Sequence, residues 1–293
     1  MDILKTLLTY AEKDDNIRAV LMEGSRAFGT VDRYSDYDIV YVTQSSEPYF
    51  GGAVLPFLTD SFGEIAIMQT PDNGDPHDVY THLVQFKSGL RIDLTFNSIA
   101  FLDRTPLESA TAILLDKDGR FANTAPPSDA DFWLKRPTAA QYRRHCNEFY
   151  WCSPYVAKAV ARGQTLHALA ILGEPIRAEY LIMLSFLAGA RSSWEHVNAG
   201  KHGANIRSYL PPDEAHYYDT LKDSYVHAND EEIMRALDAL MTEYAALAAA
   251  VADTLDYRFD AAEADRTIRF INERFVGKPE NDGTQENSMQ PIE

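Results

Sequence analysis

Residues 23–42, EGSRAFGTVDRYSDYDIVYV, decide how the chain folds. They follow an apolar run, IRAVLM at 17–22, turn at Gly24-Ser25, and ten residues later set Asp36 and Asp38 at the head of a second apolar run, YDIVYV at 37–42. Alternate side chains of a strand share a face. Asp36 and Asp38 therefore point the same way, while Tyr37 and Ile39 point into the core. Two carboxylates that close repel each other, and neither is expected to stay buried without a compensating cation. A hard divalent ion such as Mg²⁺ takes oxygen ligands and keeps phosphate company.

The surrounding segments supply a sheet and a third acid. Residues 2–13 read as a short amphipathic helix carrying Ile3, Leu4, Leu7 and Leu8. Strand-like runs follow at 64–69 (EIAIMQ), 80–86 (YTHLVQF) and 90–96 (LRIDLTF), the last two joined by a Lys87-Ser88-Gly89 turn. Along the final run Ile92, Leu94 and Phe96 form a core face, and Asp93 stands on the other. Three acids on a rigid sheet suit phosphoryl or nucleotidyl transfer, where divalent ions clamp the attacking and leaving oxygens. Gly24 lets backbone approach a ligand and Ser25 is expected to cap a following helical turn. Amides there, with the serine hydroxyl and Arg26, suit a triphosphate.

Composition narrows the partners. The 293 residues are 45% hydrophobic and 24% charged, enough for a sizeable core and for two domains. The 44 acids against 27 Lys+Arg leave a net charge of -17, which repels nucleic acid and tolerates cationic substrates. Cys146 and Cys152, six apart on one helix, form no disulfide framework or zinc motif. The N-terminal segment lacks a basic, apolar leader, and no apolar run is long enough to span a bilayer, so a cytoplasmic protein with no membrane partner is expected.

After a linker-like stretch at 116–137 the periodicity becomes helical, opening on a Pro137-Thr138 capping box with Gln141. The fold class expected is α+β. A mixed sheet with helices occupies 1–135, an all-helical bundle that closes over substrate and nucleotide occupies 136–276, and a polar, disordered tail occupies 277–293.

The ordered set of a strand, Gly24-Ser25, Asp36-x-Asp38 and a later Asp93 resembles the nucleotidyltransferase superfamily with its polymerase-beta-like palm. The segments FGEIAIMQ, QFKSGLRIDLTF, FLDRTPLE, LLDKDGR, NEFYWCSPYVAKAVAR and GKHGANIRSYLPP, in that order, are similar to the aminoglycoside 6-adenylyltransferase (streptomycin adenylyltransferase) family. The resemblance runs from about residue 10 to about 275. It implies Mg²⁺-dependent transfer of AMP from ATP to an aminoglycoside hydroxyl with release of pyrophosphate, hence antibiotic inactivation. It places metal-binding acids at Asp36, Asp38 and Asp93 and a nucleotide-binding turn at Gly24 and Ser25. Two positions depart from the family pattern: Ala204, where a basic residue is common, and YVAKAV at 155–160, where YVAKGL is common.

Lys158, in an otherwise apolar helix segment, reads by itself as a surface lysine with a snorkelling stem. The resemblance makes Lys158, and Lys201 in the Gly200–Gly203 turn, candidates for the β- and γ-phosphates. Glu148, Trp151 and Tyr155 recur at i, i+3 and i+7. They read either as domain packing or as an aromatic and acidic wall for a cationic sugar. Glu64 and Glu179 are weaker candidates of the same kind. His145 and His202 are expected on the surface. Asp93 is also a candidate to accept the proton of the attacking hydroxyl. A monomer acting on ATP and a cationic aminoglycoside is expected, with no nucleic acid. The alternatives are a nucleotidyltransferase with another small-molecule or protein acceptor, a nucleic-acid polymerase, which the charge disfavours, and a non-catalytic nucleotide-binding relative.

Overall fold

The computed structural model describes residues 2–29 and 31–276, so the expected disordered tail lies outside the described residues. The chain divides into two compact units, with the boundary between Asp131 and Phe132.

The first unit is built on a six-stranded mixed sheet. Its strands are β1 (Ile17–Glu23), β2 (Tyr37–Thr43), β3 (Ile65–Gln69), β4 (Val79–Phe86), β5 (Arg91–Ser98) and β6 (Ala112–Asp116), in the order β3-β4-β5-β2-β1-β6. β2 and β5 run parallel, and the other neighbours run antiparallel. The helices are α1 (Ile3–Lys13), α2 (Ser25–Phe28), α3 (Leu55–Phe62) and α4 (Ile99–Leu102). Strand β6 was not among the strands read from the sequence, because AILLD adjoins the Asp- and Gly-rich stretch taken as linker. It pairs along β1 instead, Leu21 opposite Ile113.

Alternation divides the sheet into two unlike faces. Val20, Met22, Ile39, Tyr41, Ile92, Leu94 and Phe96 bury one face under Leu7 and Ala11 of α1 and Leu58 of α3. The other face has a smaller apolar patch, Ala19, Leu21, Val40 and Val42, packed by Ile99, Leu102 and Ile113. Where that patch ends, the same alternation brings up acids.

The second unit is helical: α5 (Ala139–Ala161), α6 (Thr165–Ile171), α7 (Ala178–Arg191), α8 (Ala215–Asp223), α9 (Asp230–Leu255) and α10 (Ala261–Ile271). Its core is rich in tyrosine. Phe149 and Tyr244 stack with ring centroids 3.7 Å apart, and the Tyr142 hydroxyl donates to the Ala248 carbonyl at 2.8 Å. Among the described residues no helix is long and apolar enough to cross a membrane. Cys146 and Cys152 are both free and buried.

The start of α5 follows the sequence closely. Thr138 Oγ1 accepts from the Gln141 amide at 3.2 Å, and Gln141 Oε1 accepts from the Thr138 amide at 2.8 Å. This box meets amides that the first helical turn leaves without partners. Thr138→Ala should therefore lower stability by about 1 kcal/mol and the melting temperature by about 2–4 °C. Thr138→Ser should lose little. Thermal melts of the two variants check this, and equal losses would show that the hydroxyl does not cap.

Candidate active site

Asp38 stands opposite Glu23 of β1 on one side and Asp93 of β5 on the other. Strand alternation puts all three on the face with the smaller apolar patch. Asp36 lies just before β2 and on the same side as Asp38. The structure therefore gathers Asp36, Asp38 and Asp93 at one end of one face, and adds Glu23, which reading the sequence missed. The signal was present: Ala19, Leu21 and Glu23 alternate on one strand, directly before the Gly24 turn.

The electrostatics follow from this crowding. Burial first, then the charges of Asp93 and Asp36, push the Asp38 carboxyl up to about 6 against the opposing pull of Arg91 and Arg26. Burial also raises Asp36, with Arg91 opposing it. Burial, Glu108 and Asp38 push Glu23 up to about 7. Arg91 is the local counter-charge. Its Nε and Nη2 donate to the two Asp93 oxygens at 2.9 and 2.8 Å, and its Nη1 lies 3.4 Å from Asp36 Oδ2. Arg91 also went unread in the sequence, although residues two apart on a strand share a face.

Gly24 has a more local reason than expected. Its φ is +68°, and a Cβ there would lie 2.7 Å from Asp38 Oδ2. A side chain there would strain the backbone and displace the carboxylate. Ser25 does not cap the following turn; Gly24 holds the cap position and no side chain caps it. The Ser25 and Arg26 amides open that turn and have no carbonyl partner within it. Arg26 is committed to the loop: Nε donates to the Asp36 carbonyl and Nη2 to the Ser35 carbonyl, each at 2.7 Å, and the guanidinium lies over the Tyr37 ring.

The carboxylate set suits a hard divalent cation by its chemistry, since it offers only oxygens and they repel one another. Among the described residues, though, no three His, Cys, Asp or Glu side chains already stand as a ligand cage. Arg91 bridges two of the acids instead.

Glu64 is not brought to this cluster. It pairs with exposed Lys87 at 2.5 Å beside β3, the edge strand, with β4 and β5 between it and β2. In the helical unit Glu148, Trp151 and Tyr155 are exposed on α5. Glu148 accepts from the Cys152 thiol at 3.3 Å. His145 is not on the surface: its Nδ1 lies 2.7 Å from Glu179 Oε2 and both side chains are largely buried, which also occupies Glu179. His202 is exposed, as expected.

Lys158 is exposed and lines a recess of about 440 Å³ with Arg162 and Arg274. None of the three forms an ion pair among the described residues. Lys201 is exposed in the Gly200–Gly203 turn. Beside that turn, His202, Ala204 and Arg177 line a second recess of about 380 Å³. Arg177, only 9% exposed, donates from Nε to Ser224 Oγ and stacks on Tyr225, with no carboxylate partner among the described residues. It too escaped the sequence reading, because burial of a charge is invisible in a string.

A family model described as streptomycin adenylyltransferase matches residues 1–274. An aminoglycoside 6-adenylyltransferase from Staphylococcus aureus is 31% identical over 222 residues, covering 73% of this chain and 77% of that protein. One from Campylobacter jejuni is 26% identical over 265 residues, covering 88% and 90%. A crystal structure of an aminoglycoside 6-adenyltransferase from Bacillus subtilis aligns over 93% of this chain and 97% of that one, at 24% identity and a TM-score of 0.45.

The Glu23 environment predicts a pH dependence. The folded chain holds this proton to about 7, whereas an ordinary glutamic acid releases it near 4.5. Between those values the folded state binds more protons, so this contribution to stability falls as pH rises through the window. Glu23→Gln should be nearly neutral at pH 5 and stabilise by roughly 1–3 kcal/mol at pH 8. Melts of parent and variant at both pH values decide it; the same difference at each would contradict a buried, repelled carboxylate.

Proposed function

Because the chain belongs to the streptomycin adenylyltransferase family, we propose that it transfers AMP from ATP to a hydroxyl of a cationic aminoglycoside. In this reading the acceptor is of the streptomycin type, the 6-hydroxyl attacks, pyrophosphate leaves and the antibiotic is inactivated. The observation that carries the proposal is the placement of Asp38 opposite Asp93 on parallel neighbouring strands, with Asp36 beside them.

Asp36, Asp38 and Asp93 would hold Mg²⁺, which when bound offsets triphosphate charge and orients the reacting oxygens. Gly24 leaves room for a ligand beside the turn, and the Ser25 and Arg26 amides that open the turn would meet phosphate oxygens. Arg26 fixes the loop that carries Asp36 rather than reaching out, since two of its donors are committed to backbone carbonyls. Lys158 and Lys201 are assigned to the β- and γ-phosphates. Arg177, a buried guanidinium without a carboxylate beside the Lys201 turn, supports an anion there. Glu148, Trp151 and Tyr155 are assigned to the acceptor, whose ammonium or guanidinium groups suit a carboxylate and aromatic faces. Glu64, already paired, is left out.

Asp93 is assigned as acceptor of the hydroxyl proton. Arg91 donates to both of its oxygens in this structure, and each keeps a second lone pair for the hydroxyl proton. Positioning and charge neutralisation would supply most of the rate, as for other phosphate transfers. The reaction is placed in the cytoplasm, where ATP is available, with the chain acting as a monomer.

Incubation with ATP, Mg²⁺ and a panel of aminoglycosides should give a mass gain of one AMP on streptomycin, abolished by a chelator. No gain on any member of the panel would overturn the proposal. Asp93→Asn should lower kcat by at least about a hundredfold while melting within a few degrees of the parent, because the amide keeps the shape and can still accept from Arg91. Parent-like turnover would remove Asp93 from the chemistry, and a collapsed melt would make its role structural.

A further inference from the structure

Helices α5 and α10 enclose a recess of about 340 Å³ whose wall is chemically mixed. Trp151 is 64% exposed and Phe270 is 51% exposed, and both line it. Large aromatics left in water at one concavity mark a binding surface rather than a core. Glu263, at the start of α10, also lines the recess. Its Oε1 accepts from Asn147 Nδ2 at 2.8 Å, and it forms no ion pair with a lysine, arginine or histidine among the described residues. Tyr150 lies behind the wall: the residue is only 2% exposed, and its hydroxyl is buried with no hydrogen-bond partner among the described residues. Asn147 also lines the recess; its Nδ2 is held by Glu263, and its Oδ1 accepts from no group among the described residues.

These features select a ligand. Aromatic plates favour the faces of a ring, and more so when the ring carries positive charge. A carboxylate without a counter-ion favours an ammonium or guanidinium group. The remaining Asn147 oxygen favours a hydroxylated ligand, which can donate to it. An anion is disfavoured by Glu263. The volume lies at the low end for ligand sites and suits one ring rather than a whole oligosaccharide.

We propose that this recess receives one cationic, hydroxylated ring of the acceptor, with Trp151 and Phe270 against the ring, Glu263 on its cation and Asn147 Oδ1 on one of its hydroxyls. The proposal rests on the aminoglycoside reading above and extends it from the α5 surface to Asn147, Glu263 and Phe270.

The test separates binding from turnover. Streptomycin and kanamycin are titrated into the full chain without ATP, followed by tryptophan fluorescence and calorimetry. At least one should bind, and Glu263→Gln and Phe270→Ala should each weaken it at least about tenfold, with Asn147→Ala weaker by about threefold or more. In the transfer assay the acceptor KM should rise in step, while kcat and the KM for ATP stay within about twofold. Parent-like affinity in both Glu263→Gln and Phe270→Ala would overturn the proposal, as would a parent chain that binds neither probe. Phe270 is half exposed, so Phe270→Ala decides the matter even if Glu263→Gln melts early. Binding through these residues without AMP transfer would instead overturn the proposed function and leave the recess standing.

Discussion

Repulsion among carboxylates at one end of one sheet face is the constraint around which the first unit is arranged. Strand pairing fixes it: once β2 lies between β1 and β5, Glu23, Asp38 and Asp93 share one level of the sheet whatever their side chains would prefer. The chain offsets this charge in two ways. Arg91 hydrogen-bonds Asp93 and reaches towards Asp36. Burial first, and then neighbouring charges, also raise Asp38 to about 6 and Glu23 to about 7, so each holds its proton more firmly than an ordinary carboxyl. In the proposed function a divalent ion would bring more charge on harder contacts than Arg91 does.

The same crowding dictates the loop. Gly24 has a φ of +68°, which other residues adopt only with strain, and a Cβ there would push Asp38 Oδ2 from its place. Arg26 turns back to hold the Ser35 and Asp36 carbonyls and covers Tyr37. A turn without a side chain and a guanidinium tied to the backbone thus set the two acids, which are aimed the same way. In the proposed function that fixed placement would serve a reaction limited by positioning.

What the sequence disclosed follows the range of the interactions. Alternation within a strand revealed Asp36, Asp38 and Asp93 on one side, and the capping box at Thr138 and Gln141 was legible because both partners lie within one turn. Features that depend on distant pairing were not. Strand β6 looked like linker until it paired with β1. Glu23 alternates visibly with Ala19 and Leu21, but only the pairing of β2 with β1 sets Asp38 opposite it. His145 looked like a surface residue, because nothing nearby in sequence announces Glu179 on another helix. Arg91 is the instructive exception: it lies two residues from Asp93, so the period of a strand would have placed it, yet it went unread.

The net charge of -17 bears differently on the two proposed substrates. An acidic surface raises the local concentration of a cationic acceptor and lowers that of ATP, whose triphosphate is repelled at long range. Nucleotide capture must then come from short-range groups that overcome the field, and these are cations not already neutralised by neighbours. Lys158, Arg162 and Arg274 line one recess of the helical unit without an ion pair among the described residues, but many other basic side chains also lack one, and Arg177 is set apart by its burial. Burying a guanidinium without a carboxylate is costly, and it is offset by donation from Nε to Ser224 Oγ, from Nη2 to the Ser224 carbonyl, and by the ring of Tyr225. In the proposed function a bound anion would add to these partners, so the buried guanidinium bears more on nucleotide capture than the exposed lysines do.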